Sequence, residues 1–527
     1  MKKIICYLIL VAFASSCRKA AELSSTSNSS APAITNENVV LGKKLENPYS
    51  VANMRKAYQR LKGNNSKAIN TSEESLISTS HYYVRFLPID TAQNNALKAD
   101  TSLKLYQIPL DYEVISAGCD VQDTSEIYKP QWFYTSVPAN FQFNSVIKYE
   151  IIENLFIPEL VPVTTTSALS TSAAKPKENF ALRLVNEAMK ITNNLQDTVN
   201  LSDGNKVKFT ATGRVRVFDD RINDWVPIVG VRVRCRRWFN IKNTTTDSQG
   251  NYRISGFGGK VNYGIFYDTN DFDVRAGSFF QAWNDGPHQE SPWNLDIREG
   301  IQRFYANVFR GARRYHEGFI GGMRRPDVWK KIKYLAFSSD RKFQGINMGN
   351  TFGIIKIARY EGDIEYRSDE VFSTTIHETA HSTHAKIMNW GELQMWQANS
   401  TIRESWAVGV EWYITQMEYR ERGIPGYSNI DDVESVGFPS RRGYQAWISG
   451  SSHSEYTPLF IDLVDNVNQS TSFLRVVNDN VQGYTFEQIE PLLKHIYGKS
   501  DLSKNLKAIK PAGVTDAQID QLLNQYL

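Results

Sequence analysis

The chain has 527 residues, of which 41% are apolar and 22% charged, with a formal net charge of +4. That length exceeds what one hydrophobic core serves, so several domains are expected. The composition is that of an ordinary globular protein, and a charge this small gives no reason to expect a nucleic-acid partner. The four cysteines, Cys6, Cys17, Cys119 and Cys235, form no Cys-x-x-Cys pair and are too scattered for a disulfide framework.

The first element is a targeting segment, residues 1–17. Lys2 and Lys3 precede the short apolar run IICYLILVAFA, the arrangement of an export signal. No later stretch is apolar enough to span a bilayer. Its end reads two ways. ASSC at 14–17 resembles a bacterial lipobox, which implies Cys17 as the lipidated residue, although Ala14 stands where leucine is usual. AFA is an Ala-x-Ala site, which implies cleavage after Ala14 and a soluble periplasmic or secreted product. The lipoprotein reading is preferred, because the polar run that follows, residues 18–48, has the composition of a flexible tether. It implies an envelope protein, held at the outer membrane of a Gram-negative bacterium.

Residues 49–200 read as a mixed α+β domain. HYYVRFLPI, LKLYQIPLDYEVI and KYEIIENLFIPEL are strand-like. TTTSALSTSAAKPK is a linker or exposed loop, and NFALRLVNEAMKITNNL is helical. No cluster here carries chemistry. Residues 205–284 alternate with period two: Val215 and Val217, then Val231, Val233 and Cys235. DSQG is a turn between strands. Arg232, Arg234, Arg236 and Arg237 lie in this stretch, and the alternating ones are expected on a solvated face. The succession GRVRVFDD, VPIVGVRV and Thr246-Asp-x-x-Gly-x-Tyr-x-Ile resembles the carboxypeptidase regulatory-like domain. The resemblance covers some 60 residues and implies a small transthyretin-like β-sandwich without catalysis of its own.

Residues 285–527 read as a mainly helical unit with a small sheet. IREGIQRFYANVFRGARRYH is an amphipathic helix, and KIKYLAFS and TFGIIKIARY are strands. RSDEVFSTTIHETAHSTHAKIM follows as a helix, with Ser368 as N-cap and Asp369 and Glu370 favourable in the first turn. His377 and His381 are four apart, so both rings share one helix face about one turn apart, as two zinc ligands require. Glu378 beside them can act on a water without binding the ion. His384 shares the face but lies roughly 10 Å along the axis from His377, too far for the same ion; it is expected as a partnered polar group or a support to the ligands. The third ligand is sought among Glu392, Glu404 and Glu411. The latter two lie on STIRESWAVGVEWYITQMEYRER, helical by its apolar spacing, where Thr401-x-x-Glu404 is also a capping box.

His-Glu-x-x-His on a helix is the zincin signature, and ESWAVGVE after it resembles the gluzincin arrangement. That resemblance implies Zn2+ held by His377, His381 and Glu404, with Ala407 letting two helices approach. It leaves Glu411 to hold a histidine N–H. Enhancin-like peptidases share the ligand set. The implied reaction is peptide-bond hydrolysis with Glu378 as general base and a tyrosine or histidine as oxyanion donor. Tyr456 and His453 are the candidates, in the loop before a helix begun by Thr457 and Pro458. TFGIIKIARY is expected as the edge strand to which a peptide substrate adds. The fold expected overall is multidomain α+β: a mixed N-terminal domain, a β-sandwich and a zincin-like domain. The alternative is a binding or assembly lipoprotein that keeps the scaffold without catalysis.

Overall fold

The structure, a computed structural model, describes residues 40–62, 76–116, 128–162, 180–199, 209–326, 331–340, 344–348, 353–388, 397–424, 455–468, 470 and 477–527. The expected targeting segment with Cys17, most of the expected tether, the expected linker at 164–177, Cys119, Glu392 and His453 lie outside them. The protein is a mixed α and β structure with several sheets, its helices concentrated in the C-terminal part. No helix among the described residues is long and apolar enough to cross a membrane.

The N-terminal part contains β1 (Val40–Lys44), α1 (Val51–Lys62), β2 (His81–Leu87), α2 (Thr91–Ala99), β3 (Tyr112–Ser116), β4 (Phe133–Pro138), β5 (Lys148–Leu155) and α3 (Phe180–Ile191). Strand β2 runs between β4 and β5, and β1 pairs with β3. Strand β1 falls inside the expected tether: Val40 faces Ser116 and Lys44 faces Tyr112. Weak apolar content did not prevent pairing there, because the ladder bonds come from backbone groups. Of the strand-like run 103–115, only its end is strand; Tyr106 makes an isolated bridge to Tyr134.

The middle part contains β6 (Phe209–Asp219), β7 (Asp224–Pro227), β8 (Arg232–Arg237), β9 (Asn240–Thr245), β10 (Asn251–Phe257), β11 (Val261–Phe266), β12 (Phe272–Ala276), β13 (Phe280–Gln281), β14 (Trp283–Gln289) and β15 (Trp293–Ile297). One four-stranded sheet has the order β10-β6-β15 with β7 on β6, and a second runs β14-β11-β8-β9. Val215, Val217, Val231, Val233 and Cys235 are all fully buried, as the alternation requires. In the DSQG turn the Gly250 N–H bonds the Asp247 carbonyl at 3.0 Å, and Gly250 has φ +77°, a conformation that favours glycine.

The opposite face of β8 corrects the expectation of solvated arginines. Arg234 and Arg236 on that face are buried, as is Arg237 at the end of the strand on the face of Val233 and Cys235. Arg234 Nη1 donates to the Leu105 carbonyl at 2.6 Å, and its guanidinium lies 4.1 Å from the Phe266 ring centre. Arg237 pairs with the buried Glu159 at 3.2 Å. Carbonyls of the N-terminal part on one face, and its Glu159 carboxylate at the strand's end, replace water around the guanidinium groups.

The C-terminal part contains α4 (Gly300–Glu317), β16 (Ile332–Asp340), β17 (Gly345–Asn347), β18 (Ile354–Glu361), α5 (Ser368–Ile387), α6 (Ser400–Glu421), α7 (Leu459–Asp462), α8 (Lys499–Ala508) and α9 (Asp516–Tyr526). Its sheet has the order β13-β12-β16-β18-β17, with β12, β16 and β18 parallel. Strand pairing therefore crosses residue 284 in both directions. Strands β12 and β13 precede it yet join this sheet, whereas β15 follows it yet pairs in parallel with β6. One cluster of buried apolar side chains runs from Tyr49 through Val217 to Tyr334, and a second gathers α5, α6 and the last helices.

Candidate metal centre

Helix α5 is buried on nearly every side, which explains why its sequence lacks a polar stripe. Gly311 of α4 makes the close approach possible: a Cβ there would lie 2.7 Å from the Phe372 carbonyl oxygen and 2.9 Å from Thr375 Cβ. The N-cap is Arg367, one residue before Ser368, and its N–H donates to Glu370 Oε2 at 2.7 Å. Ser368 is used differently. Its N–H and hydroxyl both donate to Asp220 Oδ2 at 3.1 Å, and Asp220 follows directly on β6. A carboxylate at this end complements the helix dipole. Next to it, Asp219 Oδ2 accepts from Arg310 of α4 at 2.8 Å and from the Tyr419 hydroxyl of α6 at 2.9 Å. The end of β6 thus ties down all three helices around the site.

The N-cap of α6 is Asn399, whose Oδ1 accepts from Ile402 N at 3.2 Å. Glu404 is accordingly free of the capping-box role and turns toward α5. Its Oε2 lies 3.0 Å from His381 Nε2 and 3.6 Å from His377 Nε2. One donor atom from each of the three residues falls within 4.8 Å of the others. Ligands at about 2.05 Å in tetrahedral angles stand about 3.3 Å apart, so the observed separations bracket what one zinc ion needs. His377 Nδ1 meets Glu411 Oε2 at 3.0 Å, one α6 face serving both glutamates. That contact leaves Nε2 facing the other donor atoms, where it could ligate an ion, as in carboxylate-supported zinc ligands. The set of two imidazoles and one carboxylate, in the chemistry and spacing zinc prefers, fits the metal.

Electrostatics point the same way. Burial opposes charge on Glu404, yet His381 and His377 hold its carboxyl far below the usual range. Burial likewise opposes charge on His377, and Glu404 and Glu411 overcome it and raise the imidazole. Glu378 behaves in the opposite sense: burial, with Glu404 and Glu411 adding to it, lifts it above the ordinary carboxylate range against the pull of His377 and His381. A lifted carboxyl is a better proton acceptor.

Tyr456 comes to the site. Its ring centre lies 5.8 Å from that of His377, and the residue is half-exposed. Helix α7 begins at Leu459 with Pro458 as N-cap, one residue later than expected, and Thr457 Oγ1 accepts from Leu459 N at 3.3 Å. The loop is held by a residue the sequence did not single out. Ser405, next to Glu404, donates to the Glu455 carbonyl at 3.2 Å, and its hydroxyl oxygen accepts from Thr457 N at 3.2 Å. Arg403 Nε, also unanticipated, donates to Glu404 Oε1 at 3.2 Å. His384 is fully buried but stands outside the donor group; its two ring nitrogens find no partner among the described residues. Burial, then His381 and Arg403, pushes it down to about 3, so it is neutral.

The strand TFGIIKIARY is not the sheet edge. Strand β18 is covered by the three-residue β17, Gly345 pairing with Ile357 and Asn347 with Ile355. Strand β17 is outermost, and it touches α5: a Cβ on Gly345 would lie 2.6 Å from Glu378 Oε1. Asn347 Nδ2 donates to the Glu378 carbonyl at 2.6 Å and to Ser382 Oγ at 2.7 Å. No protein-family model matches the chain, and no curated protein does.

Proposed function

We propose that this protein is a zinc-dependent peptidase with a zincin-like catalytic unit, exported and anchored to the bacterial envelope through Cys17. The observation that carries the reading is the convergence of His377, His381 and Glu404 donor atoms within 4.8 Å beside the buried Glu378. A bound zinc ion supplies Lewis-acid polarisation of water and of a scissile carbonyl. Glu378, its carboxyl raised above the ordinary carboxylate range, takes the proton of the attacking water and returns it to the leaving amine. Tyr456 is the donor placed to stabilise the developing oxyanion. Glu411 keeps His377 in the tautomer that leaves Nε2 as a ligand.

The outer edge of β17 replaces β18 as the surface an extended peptide would join. Its backbone passes beside Glu378, so a peptide added there would run close to the base with little dependence on side chains. Gly345 suits that place, because any side chain would collide with Glu378.

The test measures the zinc content of purified protein together with cleavage of a mixed peptide library, using Glu378→Gln as control. One equivalent of zinc with hydrolysis lost in the control supports the reading. Zinc without hydrolysis in the wild type, or no zinc, replaces it with a binding lipoprotein on the same scaffold.

A further inference from the structure

A cavity of about 650 Å3 opens where three parts of the chain meet, and no metal-centre residue lines it. Its walls come from α2 and the segment after it, from β8 and β11, and from β12 and the start of β16. The volume falls in the range of small-molecule sites.

The charge around it is unbalanced. Six cationic side chains line it, Lys98, Arg232, Arg234, Arg275, Lys331 and Lys333, against three carboxylates. Those carboxylates are engaged: Asp268 with Arg232 at 3.1 Å, Asp273 with Arg275 at 3.1 Å, and Asp100 accepting from Ser102 N and Oγ. Lys98 donates to a neutral acceptor, the Phe279 carbonyl, at 3.0 Å. Burial, then Arg275, Lys333 and Lys331, drives its ammonium well below the ordinary lysine range despite Asp273. Crowded cations in a partly desolvated space favour an anion.

Apolar and aromatic side chains form another part of the lining, with Leu103, Phe133, Phe266 and Trp283 on its walls beside neutral polar groups such as Asn270 and Gln281. Trp283 stacks on Phe266 with ring centres 5.9 Å apart and planes at 15°. The Trp283 Nε1–H is buried and has no partner among the described residues, although a buried indole N–H ordinarily has one.

We infer that this cavity binds an amphipathic organic anion: one carboxylate or phosphate group on an apolar body. The acidic group sits among Lys98, Lys333 and Arg275, and the body lies against Phe266 and Trp283. The site is separate from the metal centre and independent of the peptidase reading.

The experiment uses the full chain and two fluorescent probes with the same aromatic body. 1-Anilinonaphthalene-8-sulfonate carries an anionic group, and N-phenyl-1-naphthylamine carries none. The expected result is one saturable site for the sulfonate, weakened at least tenfold in the double variant Lys98→Met/Lys333→Met, with the neutral probe's binding unchanged. Displacement by decanoate or by phenyl phosphate names the preferred acid group. Should the double variant fail to fold, as judged by its melting transition, Ala96→Trp on the exposed side of α2 fills the cavity and must abolish sulfonate binding. No saturable site, equal binding of both probes, insensitivity to these substitutions, or displacement by neither competitor overturns the inference.

Discussion

Removing Glu404 should damage metal binding in a way that removing its neighbours does not, and the size of each loss can be set beforehand. Four-ligand protein zinc sites bind with on the order of 10–16 kcal/mol, about 2.5–4 kcal/mol per ligand, or roughly two to three orders of magnitude each. Among the described residues, Glu404 Oε2 is the carboxylate oxygen that joins both His377 and His381 in the donor group. Glu404→Ala should therefore weaken zinc binding by at least two orders of magnitude. Glu411 meets His377 at Nδ1, at 3.0 Å, and is not in the donor group, so Glu411→Ala should cost about 10–100-fold, the usual range for a residue that supports a ligand. Glu378→Gln leaves all three donors in place and should keep wild-type affinity while hydrolysis disappears. Competition with a chromophoric chelator ranks the three variants directly, with no substrate required. An order in which Glu411→Ala loses more zinc than Glu404→Ala, or in which Glu378→Gln loses any, would refute the assignment.

Other consequences follow from single contacts. Tyr456→Phe should lower kcat by roughly 10²–10³ with KM little changed, since the donor acts mainly in the transition state; steady-state kinetics at full zinc loading decide it. Asp220→Ala removes the acceptor of two bonds from Ser368 and should destabilise the fold by about 1–3 kcal/mol, seen as a lowered Tm with the zinc stoichiometry intact. Asp479 lies with Asp465 and Asp462 in an acidic group, and burial followed by Asp465 pushes its carboxyl up to about 7. A raised carboxyl pKa makes the folded state bind the proton more tightly, so its contribution is intact below about pH 4 and is lost as pH rises through 7. Asp479→Asn should leave stability unchanged at pH 4 and raise it by up to about 4 kcal/mol at pH 8, measured by denaturant titration at both pH values; a gain at pH 4 alone would reverse the argument.

What could be read in advance was local. The i, i+4 spacing of His377 and His381 fixes their common face within one helix, and Glu411 falls on the face of Glu404 by the same geometry. The strands with buried alternation, such as Val215 and Val217, declared themselves for the same reason. What escaped was set by distant partners. Ser405 bonds residues some fifty positions on, and Asp220 meets Ser368 from about 150 positions away. Neither carries a local mark. The arginines of β8 show the limit of periodicity: the pattern separates two faces, but it does not say whether water or another part of the chain covers the polar one. Strand β17 is too short, at three residues, to announce itself by alternation.

The exchange of strands across residue 284 bears on how this protein can be handled as a piece of biology. A C-terminal unit cut out at that joint would lack β12 and β13, leaving β16 with an open row of backbone donors and acceptors along its length. An open strand edge of that kind recruits other chains. The remaining fragment would in turn lose β15 from β6. The joint behaves less like a hinge between modules than like a stitch, passing once through each fabric. Recombination that swaps one C-terminal unit for another would have to take the last strands before the joint along with it, and leave the first strand after it behind.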